Sequence, residues 1–283
     1  MNTLSVFQEA RSSYHATLMA SGVLCISAKN VPSNADGSSR SSVALAQGIM
    51  DRIGSNTAGR LAGQVSGSKF EQITRSFLQQ TFMRLSHLRP GNWDFNPSRH
   101  LIAKFEQYSH LAELSELTIL NPKLAAVLGN DYIIAPDIVL IRNPEPDSAI
   151  NLHEALVDGT LSSRSSLRAA SGSLPHLHAS VSCKWTLRSD RAQNARSEAL
   201  NLIRNRKGRL PHVVVVTGEP LPSRLASIAL GTGDIDCVYH FALNELMDTI
   251  QSLDLDDSRE LMSAMVEGKR LKDISDLPLD LAV

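Results

Sequence analysis

The sequence predicts an α/β protein in which a mixed central β-sheet is flanked by helices. Four short apolar, β-branched segments have the character of strands, and a segment with helical periodicity separates two of them. The chain has 283 residues, of which 42% are hydrophobic and 20% charged, so it is long enough to bury a large core. No linker and no internal repeat divides it, and we therefore expect a single domain over residues 1–283.

The first half of the chain predicts a loop followed by a helix. Residues 32–42 are polar and rich in Gly and Ser, so we expect a loop outside the core, ordered by itself or by a ligand. From residue 70 to residue 85, apolar side chains recur at intervals of three and four, which is the helical period. Ser66 or Ser68 would cap the start of this helix. Glu71 would then lie in its first turn.

The second half of the chain contains the predicted strands. A helical run at residues 101–120 ends before Asn121-Pro122. Residues 132–141 follow as an apolar, β-branched strand, in which Pro136 indicates a sheet edge or a bulge. Two prolines within residues 143–147 end that strand. The remaining elements are strands at residues 178–184, 213–217 and 237–241, and a helix at residues 190–203 between the second and third strands.

Positive charge is concentrated in one segment. The net charge of −1 gives the whole protein no field that would attract an anionic partner. Residues 184–209, however, contain eight basic and two acidic side chains, a local excess of six positive charges. Nucleic-acid binding would therefore depend on this segment. Its last four basic residues indicate either phosphate contacts or a solvated loop: Arg204, Arg206, Lys207 and Arg209.

The cysteines and the apolar segments bear on location. Cys25, Cys183 and Cys237 are odd in number, far apart and outside any zinc-binding spacing, which is typical of a reducing cytoplasm. Residues 18–26 are mildly apolar, but the stretch is too short and too interrupted for a signal peptide. No run reaches the roughly twenty apolar residues that a membrane span requires. We expect a cytoplasmic protein that does not bind membranes.

Asp137 and Lys184 carry the chemistry that the sequence predicts. Asp137 lies in Ala-Pro-Asp-Ile-Val, and Lys184, 47 positions later, ends the apolar segment Val-Ser-Cys-Lys. A strand-borne carboxylate can hold Mg²⁺, which prefers oxygen ligands and neutralises charge as a phosphodiester is cleaved. A lysine beside the metal can orient or deprotonate the attacking water. The pair therefore predicts a metal-dependent site that cleaves phosphodiesters.

A second carboxylate is expected two residues before the lysine, but Ser182 occupies that position. Glu198, 14 positions after the lysine and within the predicted helix, is the obvious substitute. Arg191 precedes Glu198 by seven residues, or two helical turns, and so lies on the same helix face. Asp190 and Gln193 have the spacing of a capping box that would start this helix. One helix would then carry both the substitute acid and cationic side chains.

Three short segments and one acidic residue resemble a known family. Ala-Pro-Asp at 135–137, Ser-Cys-Lys at 182–184 and Arg-Ser-Asp-Arg at 188–191, followed by Glu198, are similar to the PD-(D/E)XK nucleases. Within them they resemble the NgoM-type type II restriction endonucleases, which cut sites with a CCGG core. The serine at the usual acid position departs from the superfamily but matches this subgroup, in which the acid has migrated to the helix. The resemblance extends over nearly the whole chain, including residues 31–37, 63–71, 180–209 and 268–273.

The resemblance implies a restriction-endonuclease-like fold and assigns the catalytic residues. Asp137 and Glu198 would bind Mg²⁺, and the main-chain carbonyl of Cys183 would be a further ligand. Lys184 would be the catalytic lysine and Glu71 a supporting acid. The single endonuclease domain would have no separate DNA-binding domain.

The resemblance also assigns the residues that read DNA. Arg188, Asp190 and Arg191 would read the CCGG core in the major groove, which suits Arg as a bidentate partner of guanine and Asp as an acceptor from cytosine. Asp36 and Gln64 would read the outer G·C pair, so that the site is GCCGGC. The family further implies a homotetramer made of two dimers, each on one palindromic site of double-stranded DNA.

We therefore expect a Mg²⁺-dependent type II restriction endonuclease that leaves 5′ overhangs. Two alternatives fit parts of the pattern. A repair or junction-resolving nuclease of the same superfamily would recognise DNA shape and would not need base-reading side chains at residues 188–191. A non-catalytic DNA-binding regulator would bind without metal and tolerate the loss of Asp137 and Lys184.

Overall fold

The computed structural model describes residues 4–54, 63–97, 102–121, 123, 126, 135–231 and 233–283, without the side chains of residues 63, 64, 96, 97, 115 and 189. Its strands are β1 (Asn92–Pro97), β2 (Ile138–Asn143), β3 (His176–Lys184), β4 (His212–Thr217), β5 (Cys237–His240) and β6 (Leu271–Asp273). Its helices are α1 (Val6–Ala20), α2 (Arg40–Ile53), α3 (Gly63–Phe82), α4 (His110–Leu120), α5 (Asp147–Ile150), α6 (Ser189–Asn205), α7 (Pro222–Ala229), α8 (Leu243–Ser252), α9 (Asp256–Glu267) and α10 (Leu277–Asp280).

The strands form one mixed sheet in the order of the chain, from β1 to β6. The β1–β2 and β2–β3 pairs are antiparallel, whereas β3, β4, β5 and β6 run parallel. Ile138 at the start of β2 pairs with Val181 near the end of β3, and Lys184 pairs with Thr217 at the end of β4. The start of β2 and the ends of β3 and β4 therefore meet at one edge of the sheet.

Helices cover the sheet and confirm the predicted α/β class. Helix α3 packs on β3 and on α1, while α2 packs on α8. Helix α6 connects β3 to the parallel strand β4 and buries one face, because its buried residues recur at helical spacing: Ala192, Ala195, Ala199 and Leu202. No helix within the described ranges is long and apolar enough to span a bilayer.

The predicted strands at residues 178–184, 213–217 and 237–241 correspond to β3, β4 and β5, and the helix predicted at 190–203 corresponds to α6. The strand predicted at residues 132–141 begins later, at Ile138, and residues 132–134 lie outside the described part. The prediction from Pro136 that this is an edge strand is wrong, because β2 lies inside the sheet, between β1 and β3. A register shift between Leu140 and Ile141 does mark an irregularity in this strand.

Two helix predictions need correction. Helix α3 begins at Gly63, so Ser66 and Ser68 lie inside it instead of capping it, and Glu71 lies about two turns after its start. The single run predicted at residues 101–120 is divided into two short 3₁₀ turns and α4, because Phe105 has an extended backbone with φ −102° and ψ 147°. Phe105 is buried in the core, so its packing overrides the helical periodicity.

The polar stretch at residues 32–42 is ordered, as predicted, but part of it is buried, contrary to the prediction of a loop outside the core. Ser33, Asn34 and Ala35 are buried, and α2 already begins at Arg40 with Ser39 as its N-cap. The polar side chains are tolerated because they are hydrogen bonded. The Ser33 hydroxyl donates to the carbonyl of Val23 at 2.5 Å, and the Asn34 amide donates to the carbonyl of Gly218 at 2.9 Å.

Candidate active site

Asp137 and Lys184 meet at the sheet edge where β2 begins and β3 ends. The Lys184 ammonium donates to Oδ2 of Asp137 at 2.8 Å, and the backbone N–H of Cys183 donates to the same oxygen at 2.8 Å. Antiparallel pairing of β2 with β3 brings these residues together across the 47 positions that separate them. The structure thus juxtaposes the carboxylate and the lysine that the sequence singles out.

Glu198 on α6 is the second carboxylate of this group. The pKa of Glu198 is raised to about 7, chiefly by burial; the charge of Asp137 contributes to the rise, and the charge of Lys184 opposes it. Its Oε1 is buried and has no hydrogen-bond partner among the described residues. Ser182, which occupies the expected acid position, is buried on β3. The helix therefore supplies the acid that the strand lacks.

Lys184 remains protonated in this environment. Burial lowers its pKa, but the charge and hydrogen bond of Asp137 and the charge of Glu198 raise it more, so the pKa lies above its usual value. The side chain is 18% exposed and lines the cleft described below. It can therefore present a cationic head to an anionic group that enters from solvent.

The residues present fit a divalent cation. A buried carboxylate oxygen without a partner, next to a second carboxylate, is a position where a positive charge relieves repulsion and restores ligation. Among the described residues, no group of three or more Asp, Glu, His or Cys side chains gathers around a common point. A complete shell at Asp137 and Glu198 would therefore need main-chain or water oxygens, which is compatible with the predicted Cys183 carbonyl ligand.

The Cys183 thiol has no place in this chemistry. Burial raises its pKa well above the ordinary value, and the charge of Asp137 raises it further. The side chain points away from Lys184, since neighbouring strand residues alternate between faces. A nucleophilic role for this thiol is thus disfavoured, and the residue contributes through its main chain.

Lys184 lines a cleft of about 510 Å³. Five other predicted residues line the same cleft, namely Asp36, Glu71, Cys183, Arg188 and Arg191, whereas Asp137, Glu198 and Asp190 do not. The full lining consists of Gly22, Ser33, Ala35, Asp36, Ser66, Gly67, Ser68, Glu71, Cys183, Lys184, Trp185, Thr186, Arg188, Arg191, Asn194 and Arg224. Most of the predicted catalytic and DNA-reading residues therefore share one opening.

The start of α6 differs from its predicted capping. Arg188 is the N-cap residue and makes no side-chain cap, so the capping box of Asp190 and Gln193 is wrong. Asp190 lies exposed in the first turn, where a negative charge is favourable near the helix N-terminus. Arg191 donates to the Thr186 hydroxyl at 2.9 Å. The side chain of Gln64, in the first turn of α3, lies outside the described part.

The segment rich in positive charge does not form one surface. Arg188 and Arg191 line the cleft, whereas Arg206 and Arg209 lie between the end of α6 and the start of β4, at the opposite edge of the sheet. A helix of this length separates its ends by about 25 Å. Only the first part of the segment therefore lines the cleft at Lys184.

Sequence reasoning missed two charged residues beside the cleft. Arg224 on α7 forms an ion pair with Asp36 at 2.5 Å and lies 3.6 Å from the buried carboxylate of Glu219. Hydrogen bonds from Ser38 and then from Arg224 hold the pKa of Asp36 well below its usual value. Glu219 directly follows β4, whose end lies beside the end of β3. The sequence did contain a signal for Glu219, because an acidic residue lies just after a strand that was predicted to be buried.

Comparison with known proteins shows which family the chain resembles over its length. The family model described as "NgoMIV restriction enzyme" matches residues 14–283. The protein named "Type II restriction enzyme NgoMIV" from Neisseria gonorrhoeae is 55% identical over 288 aligned residues, which cover 100% of both chains. The likeness thus includes every described element of the sheet and the cleft.

Proposed function

This chain belongs to the NgoMIV restriction enzyme family and is a type II site-specific deoxyribonuclease with a restriction-endonuclease-like fold, and on that premise we propose that it cleaves double-stranded DNA at GCCGGC with Mg²⁺ and leaves 5′ overhangs. Family membership decides against both alternatives, the junction-resolving nuclease and the non-catalytic regulator. The single observation that carries the proposal is the convergence of Asp137, Lys184 and Glu198 at one sheet edge.

The proposed roles follow from the charges at this edge. Asp137 and Glu198, with the Cys183 carbonyl, would hold Mg²⁺, which neutralises charge on the phosphate and acidifies a bound water. The Lys184 ammonium, held by Asp137, would orient the attacking water and the scissile phosphate. Glu71 lines the same cleft from α3 and would act as the supporting acid.

Three of the proposed DNA readers line the same cleft: Asp36, Arg188 and Arg191. Arg188 and Arg191, with Asp190, would contact the CCGG core, since Arg pairs bidentately with guanine and Asp accepts from the cytosine amine. Asp36 and Gln64 would contact the outer pair. Because α6 carries both base readers and Glu198, we place catalysis and recognition in one domain over residues 1–283.

The proposed assembly is a homotetramer of two dimers. A palindromic site requires a twofold-symmetric protein, and the connection between β2 and β3 offers apolar contacts for further copies. Three of its leucines are largely exposed: Leu152 at 71%, Leu156 at 62% and Leu161 at 73%. Light scattering on the free protein should give the mass of four chains, and a monomer would contradict the proposal.

We further place the enzyme in the cytoplasm. All three cysteines lie in the described part of the chain, and each is a buried thiol outside any disulfide, as expected in a reducing compartment. Fractionation of the producing cells should recover the activity with cytoplasmic enzymes. Recovery in an extracellular fraction would contradict this placement.

Digestion of a plasmid with one GCCGGC site tests the function. With Mg²⁺, the expected product is linear DNA whose sequenced ends carry 5′ overhangs within the site. The matched control is the same plasmid with the site changed to GCGCGC, which should stay supercoiled, as should both plasmids with EDTA. Random nicking, or equal cleavage of the two plasmids, would show that the proposal is wrong.

A further inference from the structure

Glu219 is a fully buried carboxylate in the turn that follows β4, with no exposed area. Its Oε2 accepts the backbone N–H of Leu187 at 2.8 Å, and its Oε1 accepts the backbone N–H of Leu221 at 3.2 Å. The Arg224 guanidinium lies 3.6 Å from Oε2. One side chain thus contacts three elements: the segment before α6, the N-cap of α7 and the body of α7.

Two of these contacts lead to the proposed DNA readers. Leu187 immediately precedes Arg188, so its N–H bond fixes the chain where the inner base readers begin. Arg224 in turn binds Asp36 at 2.5 Å, and Asp36 is a proposed reader of the outer pair. The loop that carries Asp36 is also tied to the turn after β4, because Asn34 donates to the carbonyl of Gly218.

Close packing reinforces the same turn. A Cβ atom at Gly218 would lie 2.6 Å from the Trp185 ring, which is closer than side-chain atoms approach one another. The turn after β4 therefore lies directly against the segment that links Lys184 to Arg188. A shift of the Glu219 side chain would move this contact as well as its hydrogen bonds.

The chemistry of the site requires a carboxylate. An ionised carboxylate offers two acceptor oxygens, whereas an amide offers one oxygen and places a donor at the second position. At residue 219 that donor would oppose either the Leu187 N–H or the Leu221 N–H. A glutamine would therefore leave one buried N–H without an acceptor and leave Arg224 without its buried countercharge.

We propose that Glu219 is a positioning residue for sequence recognition, which fixes the inner readers on α6 and the Asp36–Arg224 pair relative to each other. This inference rests on the proposed cleavage of GCCGGC. Glu219 itself does not touch the DNA or the reacting atoms. It sets the distance between the two groups of side chains that must engage adjacent base pairs together.

The test compares cleavage of two palindromic duplexes, GCCGGC and ACCGGT, which differ only in the outer pair. In the wild type, kcat/KM should strongly favour GCCGGC. In Glu219→Gln, the ratio of the two kcat/KM values should fall about 10- to 100-fold, the range of one good base contact. The kcat on saturating GCCGGC should fall less, because Asp137 and Lys184 are not in contact with Glu219.

Two variants separate positioning from stability alone. Glu245→Gln alters another Glu–Arg pair, with Arg11 at 2.6 Å, and neither residue lines the cleft. It should lower the Tm and leave the outer-pair ratio unchanged. Glu260→Gln, at an exposed position, should change neither quantity.

A Glu219→Gln protein that loses Tm but keeps the wild-type ratio would overturn the inference and leave Glu219 a stabilising residue. If Glu219→Gln does not fold, Glu219→Asp replaces it, because it keeps the negative charge but shortens the side chain by one methylene. An unchanged ratio of the two kcat/KM values in Glu219→Asp would also overturn the inference. Failure of the wild type to cleave GCCGGC would instead refute the proposed function. The two failures are thus distinguishable.

Discussion

The two ends of strand β3 both carry buried polar groups, but these groups are paired to different extents. At the carboxyl end, Lys184 meets Asp137 and Glu198, and a buried oxygen of Glu198 has no partner in the described part of the protein. At the amino end, His178 lies edge-on to the rings of Trp93 at 4.7 Å and His212 at 5.0 Å. Its Nε2–H donates to the carbonyl of Leu281 at 2.7 Å.

The difference lies in what each end requires from outside the protein. The amino end is satisfied by the protein itself, because burial lowers the pKa of His178 to about 4 and keeps the ring neutral near pH 7. The carboxyl end buries Glu198 near Asp137, where the two negative charges oppose each other, and the Lys184 ammonium offsets that repulsion only in part. Function and stability are thus separated along one strand, and substitutions at the two ends should affect different measurements.

The largest effect is expected from the lysine at the carboxyl end. Lys184→Ala or Asp137→Ala should lower the cleavage rate in Mg²⁺ by at least about a thousandfold, since each removes a group that we propose to act on the transition state. Specific binding of GCCGGC, measured by gel shift with Ca²⁺, should survive. The measurement is the rate of loss of supercoiled plasmid.

The matched control for this change is another lysine–aspartate pair. Lys272 contacts Asp280 at 2.6 Å and neither residue lines the cleft, so Lys272→Ala should cleave at nearly the wild-type rate. Retained cleavage in Lys184→Ala or in Asp137→Ala would remove that residue from the site. Equal losses in Lys184→Ala and Lys272→Ala would mean that the comparison measures folding.

A smaller effect on stability should come from Glu198, and it has the opposite sign to the effect on activity. Glu198→Gln should cleave poorly, yet without divalent cation it should be more stable than the wild type by about 1–3 kcal/mol at pH 8. The reason is that folding raises the pKa of Glu198 to about 7, so the wild type loses stability as pH rises from about 4.5 through 7. The advantage of the variant should vanish near pH 4.5.

Urea unfolding in EDTA measures this advantage, and thermal unfolding with added Ca²⁺ completes the test. The cation should raise the Tm of the wild type more than that of Glu198→Gln, because it binds the folded wild type preferentially. Glu260→Gln, exposed on α9, is the control and should behave as the wild type in both measurements. A cation-free Glu198→Gln protein that is less stable than the wild type at pH 8 would show that Glu198 is already well paired.

Sequence patterns were sufficient for the strands that lie inside the sheet. Strands β3, β4 and β5 are buried on both faces; β4 has a continuous valine run, and β3 and β5 have short stretches rich in apolar residues. Strand β1 was missed although Trp93 and Phe95 alternate with polar residues, since so short a pattern is a weak signal. Three residues are too few to reveal β6.

The residues of the candidate site also fall into two groups, those that the sequence predicted and those that it did not. The Asp137, Lys184 and Glu198 set was accessible because a strand, a strand and a helix could be placed and because the motifs resemble a family. The link from Glu219 through Arg224 to Asp36 was not, since it joins residues 188 positions apart through side-chain packing that no local pattern encodes. Pairing of this kind depends on tertiary geometry, which only the structure supplies.

The smallest effect is expected at the amino end, where His178 should make stability depend on acidity. The pKa of His178 is lowered to about 4, chiefly by burial; the hydrogen bond to the Leu281 carbonyl opposes this shift, and the charges of His212, Arg89 and Arg209 add to it. The unfolded chain therefore binds a proton that the folded protein excludes, and stability falls as pH drops below about 6.5. Between pH 7 and pH 5.5 this residue should account for a loss of about 1 kcal/mol in the free energy of unfolding, measured with urea.

His178→Gln should be less stable at pH 7 but should lose about 1 kcal/mol less over that interval. The exposed control His153→Gln should keep the wild-type dependence of stability on pH. If His178→Gln shows the full wild-type slope, the imidazole is already accessible to protons, and the amino end of β3 is not sealed as the comparison requires.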